Sequence, residues 1–151
     1  MHDLMEGNKM KWENSLMAYE DDIKNRSLLD WLKAHTTGFK PLHRYEGVFE
    51  LDKDKIVFDG RDVREDKRFR LEIPIRSISD LHLGWDETFT GFPGSKAGDR
   101  AYPWNKPLRI RYKSEQGEKT MYLFVHFHRK WGIRTSDNKE VYKKLSEMLR
   151  E

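Results

Sequence analysis

Between Pro107 and His128 the chain reads PLRIRYKSEQGEKTMYLFVHFH, with apolar side chains at every second position on two arms. Leu108, Ile110 and Tyr112, then Met121, Leu123, Val125 and Phe127, make one face. Arg109, Arg111 and Lys113, then Tyr122, Phe124, His126 and His128, make the other. A period of two on both sides of a polar, glycine-containing turn predicts an antiparallel hairpin with one face on the core. A register with Tyr112 opposite Met121 sets Arg111 beside Tyr122 and Arg109 beside Phe124, close enough for guanidinium–aromatic contact.

The same period runs through Tyr45 to Leu51 and returns in Ile56 to Phe58, around the polar turn Asp52-Lys53-Asp54-Lys55; Asp59-Gly60 is expected to end this second hairpin. Phe69, Leu71, Ile73 and Ile75 alternate with polar positions, and Pro74, which lacks an amide donor, places their strand at an edge or ends it there. Leu81-His82-Leu83 predicts a further short strand. Near the N-terminus the spacing changes. Trp12, Leu16, Tyr19 and Ile23 fall at steps of three and four and predict a helix, followed by a short one over 28–34. Val141, Leu145, Met148 and Leu149 mark a last helix, with Asp137 as N-cap and Glu140 as the return partner of a capping box. Residues 84–107 are broken by glycine and proline, yet carry Trp85, Phe89, Phe92, Tyr102 and Trp104. Those aromatics either seal one end of the sheet or form a binding loop. The expected fold is mainly β (α+β): a bent antiparallel sheet of about seven strands with a C-terminal capping helix. An N-terminal helical extension (1–43) precedes one compact unit (44–151).

Several of these segments together resemble a known family. They are Tyr45-Glu-Gly-Val-Phe-Glu-Leu running into Ile56-Val-Phe-Asp-Gly, Ile73-Pro-Ile-Arg-Ser-Ile leading into Leu81-His-Leu-Gly, the 108–127 hairpin and the 138–150 helix. Residues 44–151 are similar in this order to the pleckstrin-homology-like (PH-like) superfold, especially its bacterial and GRAM-like members. The resemblance implies a binding or scaffolding module, since some such domains hold phosphoinositides and others hold proteins. Their lipid sites gather basic residues around the first strand and its loop, where this chain has the alternating charges of residues 52–55.

Composition adds limits. With 151 residues, 36% hydrophobic, 36% charged and 13% aromatic, the chain can build one core beneath a heavily charged surface. The formal charge is +3, but residues 106–130 alone carry +5, leaving −2 elsewhere. The absence of cysteine excludes disulfides, thiolate metal sites and a cysteine nucleophile, and fits a cytoplasmic location. No apolar run approaches the ~18 residues needed to span a bilayer, so any expected membrane contact is peripheral.

Candidate chemistry is sparse. Arg109, Arg111, Lys113, Tyr122, Phe124 and His126 form the candidate site for an anionic ligand, either a lipid headgroup or a nucleic acid stacking on the aromatics. His82, His126 and His128 are the nearest approach to a metal set, but no carboxylate stands at a ligand spacing. No metal or cofactor is expected. Neither a nucleophile elbow nor a phosphate loop occurs in the sequence. The expected function is therefore non-enzymatic binding or scaffolding, through a protein partner or self-association, using the N-terminal segment or the 84–107 loop. Anionic-ligand binding is the alternative. A hydrolase with a cleft around Trp85, Asp86 and Tyr102 is a second one.

Overall fold

The computed structural model describes residues 4–6, 9–24, 43–84 and 106–150. Its strands are β1 (Leu4–Glu6), β2 (Lys9–Tyr19), β3 (Tyr45–Leu51), β4 (Lys55–Asp62), β5 (Lys67–Pro74), β6 (Ile78–Leu83), β7 (Leu108–Ser114) and β8 (Gly117–Phe124). They form one antiparallel sheet in the order β5-β4-β3-β2-β8-β7-β6, with β1 beside β2. The mainly-β expectation of about seven strands holds. Two shorter strands, β9 (His128–Lys130) and β10 (Ile133–Thr135), pair only with each other. β5 and β6 lie at opposite ends of this order, yet only the 3-10 turn Ile75–Ser77 separates them in the chain. The sheet must therefore curl until its two ends meet. Pro74 ends β5, at the edge, as its missing amide donor requires.

The curl needs a close crossing of β3 and β4. Gly47 pairs with Gly60, and a Cβ on Gly60 would sit 1.9 Å from the Glu46 carbonyl oxygen. Gly60 is thus inside a strand that runs on to Asp62, not at its end as the Asp-Gly pair suggests. The concave face is filled by Trp12, Met17, Phe49, Phe58, Ile73, Leu108, Ile110, Met121 and Leu123. Burying a side chain of this size stabilises by ~1.5–3 kcal/mol. Helix α2 (Asn138–Leu149) adds Val141 and Leu145 to the same core and packs against β6, β7 and the 3-10 turn.

The N-terminal segment corrects the helical reading. Residues 9–19 are a strand between β3 and β8, and only α1 (Glu20–Lys24) is helical; residues 28–34 lie outside the described residues. β2 therefore belongs to the same sheet as residues 44–151 and is not an appended layer. The helical spacing was produced by a β-bulge. Trp12 pairs with Phe49 but Ser15 pairs with Gly47, so β2 carries one extra residue and its inward parity switches. Asn14, in the bulge, has φ 55°. Trp12 and Met17 then both reach the core, while Leu16 and Ala18 are buried on the opposite face. Burial on both faces removes the alternation that marks a strand.

At α2, Asp137 occupies the N-cap as expected but makes no side-chain cap hydrogen bond. The neighbouring Asn138 fixes the helix start. Its Oδ1 accepts from the Val125 amide at 2.8 Å, and its Nδ2 donates to the Lys106 and Leu123 carbonyls at 2.7 and 2.8 Å.

Candidate binding surface

The expected faces of the β7–β8 hairpin are present, but its register is shifted. Glu115 and Gln116 make a two-residue turn, so Ile110 faces Met121, Arg109 faces Tyr122 and Arg111 faces Thr120. A shift by two keeps the inward set, and Leu108, Ile110, Tyr112, Met121, Leu123 and Val125 are all buried.

The outward set changes more. Tyr122 and Phe124 are each only 2% exposed, and they lie in register with Ala18 and Leu16 of β2, themselves buried. Helix α1 lies against β2 and β8. No aromatic platform faces solvent here, so the stacking arrangement expected of Tyr122 and Phe124 is absent. Arg109 is 13% exposed, and its Nη2 donates to Asp80 Oδ2 on a neighbouring strand at 2.9 Å, so its charge is paired. His126 does not extend the strand. It sits in a turn at φ 51°, with its Nδ1 donating to the Glu13 carbonyl and its amide to Ser15 Oγ. These bonds, with Phe127 N donating to Asn14 O at 2.8 Å, tie this turn to the β2 bulge. His128 Nδ1 donates back to the His126 carbonyl, and His82 is on β6 opposite Arg109. Among the described residues no group of three or more metal-ligating side chains converges. Trp85, Asp86, Phe89, Phe92, Tyr102 and Trp104 lie outside the described residues.

Charge matching divides the sheet. On β4 and β5 the outward cations have acidic partners: Arg70 and Arg68 reach Asp59 at 2.9 and 3.3 Å, Lys55 reaches Glu72 at 3.1 Å, and Arg61 pairs with Asp66. Lys9 of β2 reaches Glu50 at 2.7 Å. At the end of that half, Arg44 bridges Asp22 at 3.0 Å and Asp62 at 2.8 Å. Asp62 also accepts from the Arg64 and Glu65 amides. The Arg44 bonds hold the Asp62 carboxyl below the usual carboxylate range, and Asp62 and Asp22 in turn raise the Arg44 guanidinium. Tyr19 and Tyr112, hydroxyl to hydroxyl at 3.2 Å, are both pushed up, chiefly by burial.

The β7–β9 side has no such balance. Arg111, Lys113, Arg129 and Lys130 have no acidic partner among the described residues. The turn at 52–55, where the family resemblance puts a lipid site, borders a cleft of about 770 Å³ lined by Lys53, Lys55, Arg76 and Met148. Asp54 and Glu72 line it too, so its charge is mixed.

This fold has a solved counterpart. It is similar to the hSac2 domain from the human phosphoinositide phosphatase Sac2, with a TM-score of 0.52 over 97% of this chain and 74% of that one. Identity is 12%, so the likeness is one of fold. No family model and no curated relative matches the sequence.

The sequence reads Trp131-Gly132-Ile133 as continuing or ending the second arm of the 107–128 hairpin, but Trp131 stands in the turn of a separate one. It is 91% exposed, at the turn between β9 and β10. The signal was available: Trp131-Gly132 is a two-residue X-Gly turn between short basic arms. Among the described residues, the other exposed large apolar side chains, Val63 and Leu149, are only 40% and 37% exposed.

Proposed function

We propose that the chain is a non-catalytic binding module of PH-like architecture that takes an extended anionic surface on the β7–β9 side of its sheet. The observation that carries this reading is the segregation of ion pairing. Cations on β4 and β5 are neutralised by their neighbours, whereas Arg111, Lys113, Arg129 and Lys130, with no acidic partner among the described residues, are left to attract an external anion. Arg111 and Lys113 approach the 115–116 turn, while Arg129 and Lys130 follow the other end of β8. Six residues of strand span about 20 Å, so these charges suit a surface better than a small pocket. The fold shared with a domain of a phosphoinositide phosphatase agrees with a module of this kind. Of the expected partner-protein and self-association surfaces, the N-terminal helices and the 84–107 loop, residues 9–24 are strand β2 and helix α1, and residues 25–42 and 85–105 lie outside the described residues.

Binding to anionic vesicles and to soluble polyphosphate, each across a salt series, tests the reading. Association with both should fall steeply as salt rises, and Arg111→Ser with Lys113→Ser should flatten the slope. Salt-independent binding, or none to either probe, overturns it.

A further inference from the structure

The β9–β10 hairpin stands apart from the main sheet, and its sequence from His128 to Thr135 is HRKWGIRT, with three cations and no acid. Ile133 pairs with Lys130 and Arg134 with Arg129, leaving a two-residue turn of Trp131 and Gly132. Both turn residues have positive φ, 54° and 78°. This backbone prefers Asn or Gly in the first place, because a Cβ followed by a bulky group is disfavoured there. A tryptophan at that position is locally unfavourable, and it buries almost none of its surface in return. Local rules broken without a gain in the fold point to a role outside it.

We infer that this hairpin is an interfacial membrane finger: Trp131 enters the headgroup region of an anionic bilayer while Arg129 and Lys130 hold its phosphates. The inference rests on the anionic-surface reading and names the surface as lipid. Tryptophan suits the bilayer interface because its ring is apolar and its indole N–H still finds polar partners. Arg129 and Lys130 immediately before it, exposed and without an acidic partner among the described residues, supply the electrostatic half, each contributing about a fivefold gain in affinity for an anionic leaflet. A nucleic acid fits less well. Single strands need a row of exposed aromatics along a basic groove, and the aromatics of the neighbouring strand, Tyr122 and Phe124, are buried. A narrow hairpin with one ring at its apex is shaped to insert into a surface.

The test is Trp131→Asn in the full chain, since Asn is favoured in this turn and keeps the hairpin folded. Binding is measured to phosphatidylcholine vesicles with and without phosphatidylserine, to soluble polyphosphate and to a single-stranded oligonucleotide. Fluorescence quenching by lipids brominated near the headgroup is followed in parallel. The wild type should bind the anionic vesicles and be quenched. Trp131→Asn should bind them about tenfold more weakly, lose part of the quenching, and bind polyphosphate as before. Arg129→Ser with Lys130→Ser should weaken both vesicle and polyphosphate binding. Equal vesicle binding by wild type and Trp131→Asn overturns the finger and leaves the anionic-surface reading intact. Failure of the wild type on every anion overturns both. A Trp131 effect on the oligonucleotide but not on vesicles assigns the ring to nucleic acid and overturns the lipid inference.

Discussion

The neighbourhood of Arg44 and the hairpin around Trp131 treat charge and apolar surface in opposite ways. Around Arg44, two buried aspartates share one guanidinium, backbone amides fill the remaining carboxylate sites, and Tyr45 lies 5.5 Å from the cation. Around Trp131, Arg129 and Lys130 have no acidic partner among the described residues and a large ring is held in water. Charge that is satisfied internally contributes to folding, whereas charge left unsatisfied remains available for binding. Changes at the first place should therefore appear in stability, and changes at the second in association.

The sharpest structural contrast comes from the β3–β4 crossing that supports the Arg44 side. Gly60→Ala forces a Cβ into backbone atoms and should cost about 4 kcal/mol or prevent folding, read by urea unfolding. Asp62→Asn should cost about 2–3 kcal/mol at neutral pH, because Arg44 keeps Asp22 but loses its bonds to a charged acceptor. The sign of its pH dependence is fixed. The folded-state carboxyl lies below its unfolded value, so its contribution is complete above about pH 4 and is lost as pH falls through the folded value. The gap between wild type and Asp62→Asn should narrow over that acidic range; a gap that widens there contradicts the assigned partner. Asn138→Ala leaves the Val125 amide and two carbonyls without their partner and should cost about 2 kcal/mol, with α2 loosening first in hydrogen exchange. On the other side of the contrast the effects are small and reversed. Trp131→Asn should raise stability by about 1 kcal/mol, since it relieves the positive-φ strain. Arg129→Ser with Lys130→Ser should change it by under about 0.5 kcal/mol. A large loss from either would mean that the hairpin is part of the scaffold.

The inward set of β7 and β8 was legible because one residue in two is apolar over two complete arms. A single proline marked β5 as an edge strand or one that ends there, and it is both. β2 was not legible, for two reasons that act together. Its bulge shifts the parity between Trp12 and Met17, and both faces of Leu16 to Tyr19 are covered, so a strand took on the spacing of a helix. The outward aromatics Tyr122 and Phe124 were misplaced for the same reason: they are β2's cross-strand neighbours, and a strand read as a helix leaves them uncovered. Of the expected anionic site, Arg111 and Lys113 have no acidic partner among the described residues, whereas Arg109 pairs with Asp80. Asn138 was hidden because the cap position beside it, Asp137, already matched a familiar motif.

The place of β2 also sets the timetable of folding. Leu16 pairs with Phe124 and Met17 with Leu123, more than a hundred residues later in the chain. On the ribosome, β2 and β3 can meet early, but the other edge of β2 waits until β8 has emerged. Such long-range pairing is slow, and an apolar strand with one open side is prone to pairing with another nascent chain. Synthesis of this protein should therefore depend more on chaperone protection of β2 than its modest size suggests.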